Sequence, residues 1–198
     1  MTRPFLLGLT GSIGMGKSTT AAMFADQGIP VWDADATVHA LYARGGAAVA
    51  RIAAAFPGVV VDGAVDRTRL RGALSGQKQS LTLLESIVHP LTTASRMAFI
   101  RAHQDADLIL LDIPLMYETG TDAHCDAVLV VSAPADVQRA RVLGRGTMTG
   151  EQLDLILSRQ MPDAQKRAQA DYIIETHSLE QTRAAVQQLI QTIRGRHA

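Results

Sequence analysis

The sequence predicts an α/β fold with three layers, in which helices cover both faces of a parallel sheet. Fully apolar runs at residues 108–111 and 127–131 are typical of strands that are buried on both faces. A shorter apolar run at 5–9 leads into a glycine-rich stretch and then into a segment with the composition of a helix. This order of strand, loop and helix is the first unit of such a fold.

The glycine-rich stretch covers residues 11–18 and fits the pattern GxxxxGK[ST] of a phosphate-binding loop. Its glycines let the backbone take positive φ and approach an anion closely. Successive N–H groups then converge at the positive end of a helix dipole, where a polyphosphate is stabilised. Lys17 is expected to reach the β- and γ-phosphates, and the Ser18 hydroxyl to hold Mg²⁺. We therefore predict a P-loop NTPase fold that binds a nucleoside triphosphate.

The composition limits the classes of partner. Nineteen basic and nineteen acidic residues give a formal net charge of zero, which disfavours nucleic acid as the main partner. Cys125 is the only cysteine, so no internal disulfide can form and we expect a cytoplasmic protein. No stretch of the sequence approaches the ~20 apolar residues of a membrane span, so we predict no membrane partner.

Three aspartates follow predicted strands, and the first two come after a short extended segment at 29–32. On an extended chain Asp33 and Asp35 point to the same side, about 6–7 Å apart, where ligands bind in open α/β sheets. The alternative of a solvated turn with a helix N-cap stays open. Asp112 closes the apolar run at 108–111 and resembles a Walker B aspartate, which supports Mg²⁺ through its waters. Capping of the next turn would also explain Asp112.

A long helical segment separates the second and third predicted strands of the sheet. Because residues 36–106 exceed what a crossover needs, we predict an insertion that covers a second ligand. The nucleotide-binding core would then comprise 1–35 and 107–198. Within the insertion, Pro90 is expected to interrupt a helical stripe. The basic stretch at 66–71 fits either a ligand contact or a solvated helix face.

A helical lid is predicted over about residues 139–162. Arg141 and Arg145 are four residues apart, so on a helix both guanidinium groups project from one face. Glycines follow them, and Thr149 begins a capping box that starts another helix, which Pro162 is expected to end. This pattern fits a hinged lid that closes over transferring phosphates, and simple exposure of the arginines is the alternative. The predicted nucleotide contacts are Ser12, Ile13, Gly14, Met15, Gly16, Lys17, Ser18, Thr19, Arg141 and Arg145.

The chain contains no asparagine, which excludes the NKxD segment that reads guanine and so disfavours regulatory GTPases. Protein-kinase signatures are also absent from the sequence. A small-molecule kinase remains, with a phosphate loop, an insertion that covers the acceptor and a lid that carries arginines.

The motifs resemble those of dephospho-CoA kinases. The run at residues 9–19 resembles the opening of that family, and the segment at 28–35 is similar to its second motif. The resemblance spans nearly the whole chain. The further matches, in the order of the family's motifs, are Asp62-Gly63 with Asp66-Arg67, His89-Pro90, Pro114-Leu115 with Glu118, Gln138 with Arg141 and Arg145, Gln160, and Ala170-Asp171.

The resemblance implies a kinase that uses ATP and Mg²⁺ to phosphorylate the ribose 3′-hydroxyl of dephospho-CoA. It implies that Asp35 orients this hydroxyl and accepts its proton, while Lys17 and Arg141 stabilise the transferring group. Asp33 would support the water shell of the metal or Asp35 itself. The residues implied on the acceptor side are Thr10, Asp33, Asp35, Arg67, His89, Pro114, Leu115 and Glu118.

The chain departs from the family pattern at Glu175-Thr176-His177, which replaces an asparagine-containing turn expected near the adenine site. Two other functions stay open. One is another small-metabolite or nucleotide kinase of the same class, and the other is a non-enzymatic ATP-binding interaction module. For every alternative we expect a monomer or a small homo-oligomer.

Overall fold

A computed structural model describes residues 3–197, with side chains up to residue 196. The described chain forms two compact units. The sheet unit extends to Trp32 and resumes at His103, and the helical unit is Asp33–Ala102.

The strands and helices alternate along much of the chain. The strands are β1 (Phe5–Thr10), β2 (Val31–Asp33), β3 (Val60–Val61), β4 (Ala64–Val65), β5 (Leu108–Asp112), β6 (Ala127–Ser132) and β7 (Tyr172–Glu175). The α-helices are α1 (Lys17–Asp26), α2 (Ala34–Tyr42), α3 (Val49–Ala55), α4 (Arg67–Leu74), α5 (Lys78–Ala102), α6 (Ala135–Leu143), α7 (Gly150–Leu157), α8 (Asp163–Gln169) and α9 (Leu179–His197). A short 3-10 helix covers Thr121–His124.

The sheet unit is built on five strands in the order β2-β5-β1-β6-β7. Strand β1 pairs in parallel with both β5 and β6, and β6 pairs in parallel with β7. Every residue of β5 and β6 is buried, as expected for strands that are covered on both faces. The α/β class and the parallel sheet are therefore confirmed. This register places the carboxyl ends of β1, β5 and β6 at one edge, where the phosphate loop begins.

Helices α1 and α9 pack against each other and contribute to the main core of the sheet unit. Helix α9 carries an apolar stripe, because Val186, Leu189 and Ile193 are all buried. Its start is fixed by the Ser178 hydroxyl, which accepts the N–H of Gln181 at 3.2 Å.

The helical unit has its own apolar core, which includes Ile52, Phe56, Leu70 and Val88. The antiparallel pair β3–β4 joins helices α3 and α4, and its two-residue connection is Asp62-Gly63. Both connecting residues have positive φ, 51° and 79°, which an Asp-Gly pair tolerates well in a tight hairpin.

The predicted helix break at Pro90 is wrong, since α5 continues through it from Lys78 to Ala102. An internal proline costs a helix about 3 kcal/mol, because it lacks an N–H and its ring crowds the preceding turn. Burial of Leu84 and Val88 in the core of the helical unit outweighs this, at about 1.5–3 kcal/mol for each side chain.

Two expectations about the lid segment also need correction. Helix α6 ends at Leu143, so Arg145 lies beyond it and does not share a helix face with Arg141. The flanking glycines favour this early end, because glycine is a poor helix former. Pro162 is not a helix end either: α7 stops at Leu157, and Pro162 is the N-cap of α8. A proline has no N–H to leave unpaired, which suits the start of a helix.

The expected start of helix α7 is confirmed. The Thr149 hydroxyl accepts the Gln152 N–H, and the Gln152 side chain accepts the Thr149 N–H. An ion pair of 2.7 Å between Arg139 and Asp154 joins α6 to α7. The segment is therefore a helical hairpin with a glycine-containing connection.

Candidate active site

The phosphate loop, residues 11–16, connects β1 to α1. The Met15 N–H donates to the Ser12 carbonyl at 3.2 Å, which closes a turn with Gly14 in its third position. Gly14 has φ 80°, which is typical of a type II turn and favours glycine. Gly16 has φ 89° and is the N-cap of α1. Because glycine has no side chain to cap the helix, the first N–H groups of α1 are left to an anion.

Lys17 forms an ion pair with Asp112, with Nζ and Oδ1 2.6 Å apart. Asp112 is the last residue of β5 and is almost completely buried, whereas Lys17 retains 14% of its side-chain exposure. Because the pair is shielded from water, loss of either partner would leave a poorly compensated charge. The fold thus brings the Walker B-like aspartate to the lysine of the phosphate loop.

The remaining loop residues divide into buried and exposed groups. Ser12 and Met15 are buried, and the sulfur of Met15 accepts the Ala133 N–H at 3.1 Å. Ser18 and Thr19 are exposed in the first turn of α1. Their hydroxyl groups are therefore open to a ligand, as the Mg²⁺ assignment of Ser18 requires.

Side chains from distant parts of the sequence hold the backbone of the loop. The Ile13 carbonyl accepts Nε2 of Gln138 at 2.7 Å, and the Ile13 N–H donates to Oε1 of Gln160 at 3.2 Å. The Met15 carbonyl accepts the Thr176 hydroxyl at 2.9 Å. The family resemblance includes Gln138 and Gln160 but assigns them no role. Thr176 belongs to a segment where the chain departs from the family pattern. No local pattern signals these contacts, because each spans more than 120 residues.

Arg141 is also tied to Thr176. Its Nη1 donates to the Thr176 hydroxyl at 2.8 Å, and its Nη2 donates to the Thr176 carbonyl. Arg145 is exposed beyond the end of α6. Both arginines nevertheless line one cavity of about 380 Å³ together with the phosphate loop. Other residues that line this cavity are Gly14, Gly16, Thr19 and Thr176.

Three of the predicted acceptor-side residues meet at the carboxyl edge of the sheet. The hydroxyl of Thr10, which is fully buried, donates to the Pro114 carbonyl at 3.0 Å. This bond ties the end of β1 to the segment that follows β5. Leu115, the next residue, is 43% exposed despite its apolar side chain.

Glu118 has two partners within the sheet unit. Its Oε1 lies 2.8 Å from Nζ of Lys166, which is completely buried, and accepts the Met161 N–H at 2.9 Å. Burial alone would raise the pKa of Glu118, but the Lys166 ammonium and the Met161 N–H outweigh it and lower the pKa. No local pattern indicates Lys166, whose partner lies 48 positions away.

The expectation that Asp33 and Asp35 both lie on extended chain is wrong. Asp33 ends β2 and caps α2, where its Oδ1 accepts the Ala36 N–H at 2.9 Å. Asp35 lies in the first turn of α2 and is exposed. The N-cap alternative is therefore correct for Asp33, because an aspartate before a helix satisfies an otherwise unpaired N–H. The helix dipole favours the Asp35 carboxylate at this position.

The other acceptor-side candidates lie on helices of the helical unit. Arg67 begins α4, and its guanidinium lies 5.8 Å from the centre of the Tyr42 ring. Burial raises the pKa of Tyr42, and the nearby Arg67 partly offsets that effect. His89 is exposed on α5.

Among the side chains of residues 3–196, no three His, Cys, Asp or Glu groups converge on a point where they could bind a metal ion. Among the helices of that same range, none has the length and apolar character that a membrane span requires.

Known proteins resemble this chain along most of its length. A family model for dephospho-CoA kinase matches residues 5–181. The dephospho-CoA kinase of Cereibacter sphaeroides is 59% identical over 97% of each chain. That of a Jannaschia species is 60% identical over 94% of this chain and 95% of its own.

Solved structures share the fold of this chain. A protein from Thermus thermophilus superposes with a TM-score of 0.85 at 33% identity, over 96% of this chain and 98% of its own. The shikimate kinase of Bacteroides thetaiotaomicron shares the fold, with a TM-score of 0.53 at 16% identity over 96% of this chain and 98% of its own. With a phosphate loop closed by a positive-φ glycine and a family match over most of its length, the chain belongs to the dephospho-CoA kinase family.

Proposed function

We propose that the protein transfers the γ-phosphoryl group of ATP to the ribose 3′-hydroxyl of dephospho-CoA, which yields CoA and ADP. The observation that carries this proposal is family membership over residues 5–181, with relatives near 60% identity. The phosphate loop and its lysine support the ATP half of the reaction. In the transfer, the 3′-oxygen forms a bond to phosphorus as the bond to the β-γ bridging oxygen breaks.

Lys17 and Asp112 support the handling of charge on the triphosphate. They form a mutual ion pair, so neither charge is left uncompensated in a buried place. When ATP binds, Lys17 would turn to the β- and γ-phosphates, where charge develops during transfer. The Asp112 carboxylate would then favour a cation in the same place.

Mg²⁺ is the cation that this family of reactions implies. The available donors are the exposed Ser18 hydroxyl and the Asp112 carboxylate, and such oxygen groups suit Mg²⁺. The metal normally keeps several waters and binds through substrate phosphates, so a protein cage of three ligands is not needed. When bound, it neutralises charge on the β- and γ-phosphates.

Asp35 is the proposed acceptor of the 3′-hydroxyl proton. Its exposed position in the first turn of α2 leaves the carboxylate open to a ligand. Asp33 supports Asp35 indirectly, because it caps the helix that carries Asp35. Since phosphoryl transfer has a loose transition state, orientation of the hydroxyl matters more than the basicity of this group.

Arg141 and Arg145 are proposed to neutralise the transferring phosphoryl group. Their presence beside the phosphate loop in one cavity supports this assignment. On the acceptor side, we propose contacts from Arg67 and His89, whose side chains can meet the phosphates and the base of dephospho-CoA. Thr10, Pro114, Leu115 and Glu118 stay proposed acceptor contacts, although Thr10 and Glu118 also stabilise the sheet unit.

The proposal also covers the cellular location, the oligomeric state and the partners of the enzyme. A cytoplasmic protein that acts on small molecules, as a monomer or small homo-oligomer, fits the zero net charge and the single cysteine. No nucleic acid or membrane partner is included in this proposal.

An acceptor screen tests the proposed reaction. ADP release is measured with ATP and one candidate acceptor at a time: dephospho-CoA, adenosine, nucleoside monophosphates and shikimate. We expect acceleration by dephospho-CoA and a product phosphorylated on the ribose 3′-oxygen. Faster turnover with another acceptor would favour a different metabolite kinase. ATP binding without acceleration by any acceptor would favour an ATP-binding interaction module.

A further inference from the structure

The phosphate loop does not hold its own shape by backbone bonds alone. We propose that Gln138 and Thr176 are positioning residues that aim two amide groups of the loop at the bound triphosphate. The proposal rests on the proposed function only in naming ATP as the natural ligand. It concerns residues to which the family resemblance assigns no role.

Gln138 fixes the peptide between Ile13 and Gly14. Its side chain is buried, with 6% exposure, and its amide nitrogen donates to the Ile13 carbonyl at 2.7 Å. The C=O and the N–H of a trans peptide point in opposite directions. Because Gln138 holds the Ile13 carbonyl on its side, the N–H of Gly14 must point away from α6.

Thr176 fixes the peptide between Met15 and Gly16 in the same way. Its hydroxyl is buried and donates to the Met15 carbonyl at 2.9 Å, a shorter contact than its 3.3 Å distance to the Ser132 carbonyl. The Gly16 N–H therefore points away from Thr176. The hydroxyl oxygen also accepts Nη1 of Arg141, so one side chain links the loop to a lid arginine.

The two glycines allow these contacts. A Cβ on Gly14 would lie 2.5 Å from a methyl group of Val142 and 3.1 Å from the Gln138 carbonyl. A Cβ on Gly16 would lie 3.2 Å from Thr176. Glycine is therefore needed at both positions for positive φ and also for the close approach of the residues that hold the neighbouring carbonyls.

The amide of Ile13 points in a different direction from that of Gly14. The Ile13 N–H donates to the side chain of Gln160 at 3.2 Å, so it does not face the same way as the Gly14 N–H. The carbonyls of Ile13 and Met15 are turned outwards, and the amides that follow them are turned inwards. Inward N–H groups in a turn form the kind of concavity that binds phosphate.

Without these side chains the peptides would be free to rotate. The Ile13–Gly14 peptide is central in its turn, and its orientation is what distinguishes a type II turn from a type I turn. A loop that samples both orientations must be ordered when the anion binds, which weakens binding. We expect the loss of either hydrogen bond to raise the Kd for a triphosphate about fivefold to tenfold.

The test measures binding by calorimetry with two probes, ATP and inorganic tripolyphosphate. Gln138→Met and Thr176→Val keep the side-chain size and remove the donor. Gln187→Met, on the exposed face of α9, is the matched glutamine control, and Thr176→Ser restores the hydroxyl. We expect the first two variants to raise the Kd of both probes fivefold to tenfold. The Kd of Thr176→Ser should return to within about twofold of wild type, and Gln187→Met should not change it.

Tripolyphosphate decides whether the effect lies at the phosphates. A loss seen with ATP but absent with tripolyphosphate would assign both residues to the base side of the cavity and overturn the proposal. Unchanged Kd values for both probes would overturn it as well. In Thr176→Val the backbone carbonyl still accepts Nη2 of Arg141, and only the bond from Nη1 to the hydroxyl is lost.

Folding is checked by the unfolding midpoint without ligand. If one variant fails to fold, the other carries the test, because each alone predicts the same loss with both probes. Neither probe requires dephospho-CoA. A wild-type protein that binds ATP but phosphorylates no acceptor would therefore contradict the proposed function. The roles of Gln138 and Thr176 would still be decided by the two Kd measurements.

Discussion

The sheet unit and the helical unit present their candidate functional groups in different ways. In the sheet unit, Lys17 is held by Asp112, and Arg141 is bound by the turn after β7. In the helical unit, Asp35 and His89 are exposed on helices. A group that the fold already holds loses little entropy on binding, whereas an exposed side chain must be ordered by its ligand. If the proposed site residues are correct, Lys17 and Arg141 are already ordered before ATP binds, whereas Asp35 and His89 must be ordered by the acceptor.

The largest expected effect concerns the helical unit. Asp35→Asn should lower kcat at least ~10²-fold, because the amide cannot accept the proton of the 3′-hydroxyl. The Kd for ATP should stay nearly unchanged if the phosphate side is complete within the sheet unit. Coupled ADP release measures the first quantity, and calorimetry measures the second.

Glu85→Gln is the control for this prediction, since Glu85 is another exposed carboxylate of the helical unit. Its kcat should equal that of the wild type. Equal rates for Asp35→Asn and Glu85→Gln would remove Asp35 from the mechanism.

Glu118 sharpens the comparison, because the resemblance places it with the acceptor while the fold pairs it with Lys166. Glu118→Gln should reduce the free energy of unfolding by about 2 kcal/mol, since it leaves a buried ammonium without its carboxylate. Urea unfolding measures this loss. The double variant Glu118→Leu with Lys166→Met removes both charges and should recover much of the stability. A role limited to the acceptor predicts no change in unfolding for Glu118→Gln.

The same pair predicts a dependence on pH. The folded pKa of Glu118 lies below its ordinary value of 4.5, so the ion pair stabilises the protein fully above that value. As the pH falls through the lowered pKa, the carboxylate is protonated and this contribution is lost. The stability difference between wild type and Glu118→Gln should therefore be constant near neutral pH and shrink in acid. A difference that grows below pH 4.5 would contradict the assignment.

Arg141→Ala tests the lid side of the sheet unit, with a smaller effect. We expect kcat to fall roughly tenfold, because the guanidinium stabilises charge that develops in transfer. The Kd for ATP should rise by a smaller factor. Equal losses in kcat and in ATP affinity would make Arg141 a binding residue only.

The smallest expected effect is a gain in stability. The Tyr117 hydroxyl is buried and has no hydrogen-bond partner among the described residues, and burial with nearby acidic groups raises its pKa to about 12. Tyr117→Phe should raise the free energy of unfolding by up to about 1 kcal/mol, because an unpaired polar atom is removed. Tyr172→Phe, which loses a hydrogen bond from Arg196, should show no gain. A lower stability for Tyr117→Phe would mean that the hydroxyl has a partner in solution.

The sequence predicted those features that depend on neighbouring residues. The apolar runs predicted the strands, and the pattern at residues 11–18 predicted a loop in which Gly14 and Gly16 have positive φ. Local capping signals placed the start of α7 correctly. These predictions succeed because a short stretch of chain contains the relevant chemistry.

Predictions from the sequence failed where contacts between distant parts of the chain decide the structure. Pro90 is a strong local break, yet burial of one face of α5 keeps the helix intact. Gln138 and Thr176 reach the phosphate loop only after the sheet is assembled, so no spacing could reveal them. Lys166 is buried only because the folded chain brings Glu118 to it. The sites of Asp35, Arg67 and His89 on the acceptor remain predictions.

The central claim is that the protein phosphorylates the 3′-hydroxyl of dephospho-CoA, and a comparison of two acceptors tests it most directly. ADP release is measured with ATP and either dephospho-CoA or its analogue that lacks the ribose 3′-hydroxyl. The account predicts rapid release with dephospho-CoA and only background release with the analogue. Equal release with both compounds, or background release with both, would contradict it.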